Sequence, residues 1–340
     1  MDFILEGFDT FLFDPLYATL FPATSYSALK NVANATISSR EIPATFRNNF
    51  VYEPSSKYLS LTPSSYAYTT SWTRDDIGRQ ALSLFLITWI FGIVIYFIFA
   101  SLSYVFIFDK ATFNHPKYLK NQVRLEIQQT LRSLPVMAVF TVPFFLAEVR
   151  GYSKMYDTTE DGPGLWYNYL QFPLFIAFTD FFIYWIHRAE HHPRLYKHIH
   201  KPHHKWIMPT PFASHAFHPM DGYAQSLPYH IFPFIFPLQK FAYVILFVFI
   251  NIWTVMIHDG EYVADSPIIN VNYNYGQFTT VFDRIFGSYR KPNDELFRKD
   301  LKMSSKEWAR QSKEMEKMVV EVEGSDDRTY LPEGQAKKLQ

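Results

Sequence analysis

Cysteine is absent from the 340-residue chain, which excludes disulfides, thiolate nucleophiles, iron–sulfur clusters and cysteine-bound zinc. Any metal must be held by nitrogen or oxygen. Net charge is absent too, since 32 basic residues balance 32 acidic ones, and bulk electrostatics give no case for nucleic acid as a partner. The sequence has no GxSxG nucleophile elbow and no glycine-rich nucleotide loop, and HRAEHH lacks the glutamate that follows the first histidine in HExxH zinc proteases. The opening MDFILEGFDTFLFD carries acids and no basic stretch, unlike a cleaved secretory signal. No internal repeat is visible.

What is present is concentrated apolar sequence. Aromatic residues make up 19% of the chain, yet the mean hydropathy is only -0.09, so the apolar residues must cluster. The run from Ala81 to Phe108 has no ionisable group except tyrosine and exceeds the roughly 20 residues that cross a bilayer core. A second run, Leu134 to Ala147, is short and contains Pro135 and Pro143, which suggests a kinked or re-entrant helix. A third, Tyr169 to Ile186, contains Asp180, a residue that needs a partner or a polar cavity inside a membrane. The last, Ile231 to Ile257, is interrupted by Pro233, Pro237 and Lys240 and reads as a helical hairpin or one long tilted helix.

These runs predict an all-α multi-pass membrane protein, a helical transmembrane bundle with a cytoplasmic histidine-rich metal-binding region. Three parts follow: residues 1–78, loops and interfacial helices; 79–289, the membrane-embedded domain; and 290–340, a polar cytoplasmic tail in which SKEWARQSKEMEKMVVEVE has the pattern of an amphipathic surface helix. Lys110, Lys117, Lys120 and Arg124 follow the first span, whereas Arg74 and Arg79 before it stand beside Asp75 and Asp76. The positive-inside bias therefore puts Lys110 on the cytoplasmic side.

Nine of the 12 histidines fall between His187 and His218. In WIHRAEHHP, His187 and His191 are four apart and share a helix face. In HIHKPHHKW, His200, His203 and His204 stand at i, i+3 and i+4, with Pro202 placed to open a new helix. Both clusters follow the third apolar run, where a helix leaves the bilayer. His258, after the last run, returns to the same face if the intervening crossings are even in number. Neutral imidazoles suit iron, zinc, nickel and copper alike, so spacing does not choose the metal. His192, His198, His215, His218 and His230 are candidates for supporting roles or for none, while Glu190, Asp221 and Asp259 are placed to orient an imidazole.

The stretch from HRAEHHPRLYKHIHKPHHKW through SHAFHPMDG, with HDGEY, YNYGQFTT and DRIFGSYRKPNDELF, resembles the fungal sterol C-5 desaturases of the wider sterol desaturase and fatty acid hydroxylase superfamily. The resemblance implies a multi-pass protein of the endoplasmic reticulum membrane with non-haem di-iron chemistry. It also implies O2 as oxidant, electrons from NAD(P)H through cytochrome b5 and its reductase, and insertion of the C-5(6) double bond into an episterol-like delta-7 sterol during ergosterol synthesis. It assigns His187, His191, His200, His203 and His204 as catalytic metal ligands and His258 as a further ligand. A hydroxylase or methyl oxidase of the same superfamily is the alternative within this chemistry.

One departure from the pattern stands out. The family carries a third box, HTxHH, between its HDG segment and YNYGQFTT, but here the chain reads SPIINVNYNYGQFTT, passing directly from Asn270 to Val271. A clean deletion or a mis-predicted exon boundary fits the matching flanks, and a catalytically impaired sterol-binding membrane protein becomes a further alternative. The terminal KKLQ, with Lys337 and Lys338, resembles the dilysine retrieval signal of endoplasmic-reticulum membrane proteins.

Overall fold

Three helices are long and apolar enough to cross a membrane: Ile77–Phe106, Gln122–Val149 and Tyr167–Glu190. The structure, a computed structural model, describes residues 1–23, 48–258 and 274–290, with scattered positions between 309 and 328. The junction at Asn270, Asp259, most of the tail and the KKLQ terminus lie outside the described residues. In chain order the helices are α1 (Asp2–Phe8), α2 (Asp14–Leu20), α3 (Tyr66–Thr69), α4 (Ile77–Phe106), α5 (Gln122–Val149), α6 (Tyr167–Glu190), α7 (Pro219–Ile235), α8 (Lys240–Met256) and α9 (Val281–Ile285). Two-residue strands β1 (Met155–Tyr156) and β2 (Leu238–Gln239) pair in parallel.

The second apolar run is part of a 28-residue helix, not a short one, and both prolines lie within it. Its polar first half hid it. Gln122 and Glu126 are fully buried, and the protein satisfies them. Gln122 Nε2 donates to Glu126 Oε1 at 2.7 Å and to the Met208 carbonyl at 2.7 Å, while Glu126 accepts from the Thr210 backbone at 3.3 Å and from the Thr210 hydroxyl. The last run divides into α7 and α8 around Pro237, with α7 starting at Pro219, well before the apolar residues begin. Pro suits the first turn because its missing N–H would have been unpaired there. The His218 ring nitrogen caps this end, accepting from Met220 N at 3.2 Å.

The chain forms two compact units. One comprises residues 1–91, 138–168 and 233–241. Here Arg74 and Arg79 do not pair with their sequence neighbours Asp75 and Asp76. Arg79 bonds Asp9 at 2.8 Å and Asp14 at 2.6 Å, and Arg74 bonds Asp14 at 3.0 Å. All four groups are buried, so their charges cancel inside the protein. Lys240, which breaks the last apolar run, pairs with Asp2 at 2.6 Å and Asp157 at 3.1 Å.

The other unit comprises residues 92–137, 169–232 and 242–340. Its core includes Tyr96, Ala100 and Phe212, and a second cluster of Leu119, Trp206, Ala213 and Ala216. Tyr96 donates to the Phe212 carbonyl at 2.9 Å. Together with the Glu126–Thr210 bonds, these contacts hold the segment after the second histidine cluster against α4 and α5.

Asp180, the acid within the third span, accepts from Gln277 N and Phe278 N at 2.8 Å each and from the Thr279 hydroxyl at 2.6 Å. The QFT part of YNYGQFTT is thus the partner that an intramembrane carboxylate requires. Gly276 permits the turn, because a Cβ there would lie 2.2 Å from the Thr279 carbonyl oxygen. Asp283 completes the loop, accepting from Tyr275 N at 2.7 Å and Gly276 N at 3.0 Å.

Candidate metal centre

The last turn of α6 presents His187, and His191 follows directly, one helical turn on, so both imidazoles point the same way. The second cluster is not an α-helix. Tyr196–His200 forms a π-helical turn and residues 201–205 a run of turns, with Pro202 opening no new helix. His203 N and His204 N still bond the His200 carbonyl at 2.9 and 3.4 Å, which keeps the three side chains grouped.

Four ligand nitrogens converge: those of His187, His191, His200 and His204 all lie within 4.8 Å of one another. The Nε2 atoms are separated by 3.3 Å for His187–His191, 3.1 Å for His191–His200 and 2.9 Å for His200–His204. Such separations match the edges of a coordination polyhedron, since nitrogens about 2.1 Å from a shared ion are about 3.0–3.4 Å apart. Proton positions support the same reading. His187 donates its Nδ1–H to the Tyr275 carbonyl at 3.2 Å, and His200 donates its Nδ1–H to Asp221 at 2.9 Å. With Nδ1 so engaged, Nε2 is the ring nitrogen that faces the neighbouring imidazoles and is placed to meet a cation.

His203 and His258 form a separate pair, Nε2 to Nε2 at 3.2 Å. His258 sits just past α8 and donates Nδ1–H to the Thr254 carbonyl at 2.6 Å. α7 and α8 therefore return the chain to the face that it left at His187. Burial, and next the surrounding imidazoles, hold His191 and His204 well below the ordinary imidazole range; burial and then His258 do the same for His203. Burial pushes His258 down to about 4. All four are neutral near pH 7, the state that a metal requires.

Behind the cluster, Gln225 Nε2 bridges Asp221 at 2.6 Å and Glu190 at 3.0 Å. Asp221 orients His200 directly, and Glu190 lies beside the same pair, 3.9 Å from His200 Nδ1. Tyr275, Thr254 and Gln225 were not marked by the sequence. Two of them act through backbone carbonyls, which leave no side-chain signature, though Thr254–His258 and Asp221–Gln225 share the four-residue helical spacing. Of the remaining histidines, His192 accepts from Arg194 N at 3.4 Å, His215 contacts Ser214 Oγ at 3.1 Å, and His230 is buried, whereas His198 is exposed. None joins the four-nitrogen group.

The donor set fits one ion through four nitrogens. For a second ion the described residues bring His203 and His258 together, and Glu190, His200 and Asp221 form a further buried donor group that shares His200.

A model of the fatty acid hydroxylase family matches residues 172–288, which span both histidine clusters, α7, α8 and the QFT loop. The Delta(7)-sterol 5(6)-desaturase of Leptosphaeria maculans is 63% identical over 356 positions, covering 100% of each chain. The probable Delta(7)-sterol 5(6)-desaturase of Neurospora crassa is 62% identical with 98% of each chain covered. That of Eremothecium gossypii is 48% identical, with 97% of this chain and 99% of the relative covered. No solved structure matches. Identity of this extent along the whole chain, centred on the same histidine-bearing region, places the protein in the Delta(7)-sterol 5(6)-desaturase family, within the membrane-bound fatty acid hydroxylase group.

Proposed function

We propose that the chain is built for sterol C-5 desaturation: loss of two hydrogens across C-5 and C-6 of a delta-7 sterol, coupled to reduction of O2 to two waters. Two of the four electrons come from the sterol and two from outside. The chain has no nucleotide-binding loop, so those two arrive from a protein partner, cytochrome b5 supplied by its reductase from NAD(P)H. The observation that carries this reading is the convergence of four imidazole nitrogens at the end of a membrane span, in a chain of this family. His187, His191, His200 and His204 hold the metal, read as iron, and His203 and His258 begin a second position. Bound iron would supply the O2-activating redox chemistry that an unactivated C–H bond requires. Tyr275, Asp221 and Thr254 fix the tautomers that leave Nε2 available.

The site lies on the cytoplasmic face of the endoplasmic reticulum membrane, where a soluble electron donor reaches it. Site-specific glycosylation or protease protection in intact microsomes tests this placement, and luminal labelling near His200 would sink it. The activity is tested by expressing the chain in a host lacking its own C-5 desaturase and measuring C-5(6)-unsaturated sterol. A hydroxylated sterol in place of the alkene would identify a hydroxylase instead.

A second reading is favoured by the donor count. The alignment with the Leptosphaeria protein runs over 356 positions against 340 residues here, a difference of 16, and the HTxHH box is absent between Asn270 and Val271. Without the histidines of that box, the 340-residue chain in this reading retains the sterol-binding membrane body and shows little or no desaturation.

A further inference from the structure

We propose that the cationic cleft beside the second histidine cluster binds the phosphate headgroup of an anionic phospholipid from the surrounding bilayer. The cleft has a volume of about 610 Å3 and is lined by Lys120, Lys197, Lys201, Lys205 and Arg328. Lys197, Lys201 and Lys205 are four residues apart, interleaved with His200 and His204. Arg328 is fastened to the same segment, donating to the His204 carbonyl at 2.9 Å and the Lys205 carbonyl at 3.2 Å. No acidic side chain lines the cleft among the described residues. Glu126, one helical turn into α5, is turned away to Thr210 and Gln122.

Position and shape select the ligand. Lys120 lies two residues before α5, a candidate membrane span, so the cleft lies at the polar end of that helix. Basic pockets at such places recognise anionic headgroups. The rest of the lining includes Leu119, Leu125 and Pro202, apolar groups suited to the methylene groups next to a phosphate. A concave site of this volume takes a headgroup, whereas the surface of an acidic protein would need a broad, flat patch. A neighbouring groove of about 300 Å3 shares Lys205 and adds Arg132, which extends the positive surface along the membrane face. A headgroup here would brace the segment that carries His200, His203 and His204.

The test uses the full chain in nanodiscs of phosphatidylcholine alone or with a minority of phosphatidylserine, with bound lipid counted by native mass spectrometry. Phosphatidylserine should be retained in preference. The triple variant Lys120→Gln, Lys197→Gln, Lys205→Gln should lose that preference, by about fivefold per lysine, and the corresponding arginine variants should keep it. If the triple variant loses helicity by circular dichroism, the single changes at the exposed Lys120 and Lys197 carry the comparison. Equal retention of both lipids, or an unchanged preference in the glutamine variants, overturns the proposal. Binding of inorganic phosphate by the lipid-free chain as tightly as phosphatidylserine would make this a free-anion site. Loss of cytochrome b5 binding with lipid preference intact would make it a protein-docking face. Either result overturns the lipid assignment.

Discussion

At the scale of single residues, the histidines do unequal work. His200 is fully buried and is tied to a carboxylate, Asp221, at 2.9 Å. Asp221→Asn removes the charge that fixes its tautomer, and metal affinity should fall by about 10–100-fold, read from iron per chain during chelator titration. Gln225→Ala should fall less, since it acts one bond further out. His200→Ala should abolish the bound ion of the 340-residue chain, whereas His203→Ala, outside the four-nitrogen group, should leave it in place. Equal losses from His200→Ala and His203→Ala would contradict this division. His115 offers a separate reading of pH. Burial, with Lys117 adding to it, pushes its pKa down to about 4, while the unfolded value is about 6.5. The unfolded chain binds the extra proton between these values, so the neutral ring stabilises the fold fully above pH 6.5. That contribution, at most about 3 kcal/mol, is lost as pH falls toward 4. His115→Asn should flatten the acid-side decline of Tm over this window, and an unchanged slope would refute the assignment. Sequence spacing was enough to pick out His187, His191, His200 and His204, which the structure brings together, because imidazole carries its chemistry in its side chain. Tyr275 and Thr254 escaped notice because their carbonyls do the work.

At the scale of elements, apolar runs marked where helices cross but not where they end. α5 begins at Gln122, well before the run at Leu134, because its first turns bury polar groups that Thr210 and Met208 satisfy. The pattern of a membrane segment is legible only where lipid is the neighbour. The need for a partner at Asp180 was visible in the sequence, but its identity was not, since the QFT loop is about a hundred residues away in the chain. This loop also carries the carbonyl that takes the His187 proton, so it couples the span to the cluster. Asp180→Asn keeps one acceptor oxygen in place of two and loses the charge, and should cost about 1–3 kcal/mol in thermal unfolding. Gly276→Ala should displace the loop through the 2.2 Å approach to the Thr279 carbonyl. The specific sign would be a weakened His187 contribution: iron affinity falling in both variants by more than in a control of equal lost stability at a distant site. Iron binding that tracks stability alone would reduce the loop to a purely structural part.

At the scale of the whole molecule, α7 and α8 bring His258 back to His203, with their Nε2 atoms 3.2 Å apart. Two nitrogens at that spacing form one edge of a coordination shell and cannot alone hold an ion tightly. His215 and His230 add to the number of imidazoles, but His215 turns its Nδ1 to Ser214 Oγ and His230 lies within α7. The family resemblance implies further donors from an HTxHH box, a sequence absent between Asn270 and Val271, a junction outside the described residues. Inserting an HTxHH-bearing segment there should raise iron from one to two per chain, because its histidines would join a pair already poised to receive them. In a desaturase-null host, the extended form should produce C-5(6)-unsaturated sterol and the 340-residue form little or none. Both quantities are needed, since iron without product would place the fault in electron delivery or sterol binding. Full turnover with two irons from the 340-residue chain would show that a third box is dispensable and that the second ion finds its ligands elsewhere.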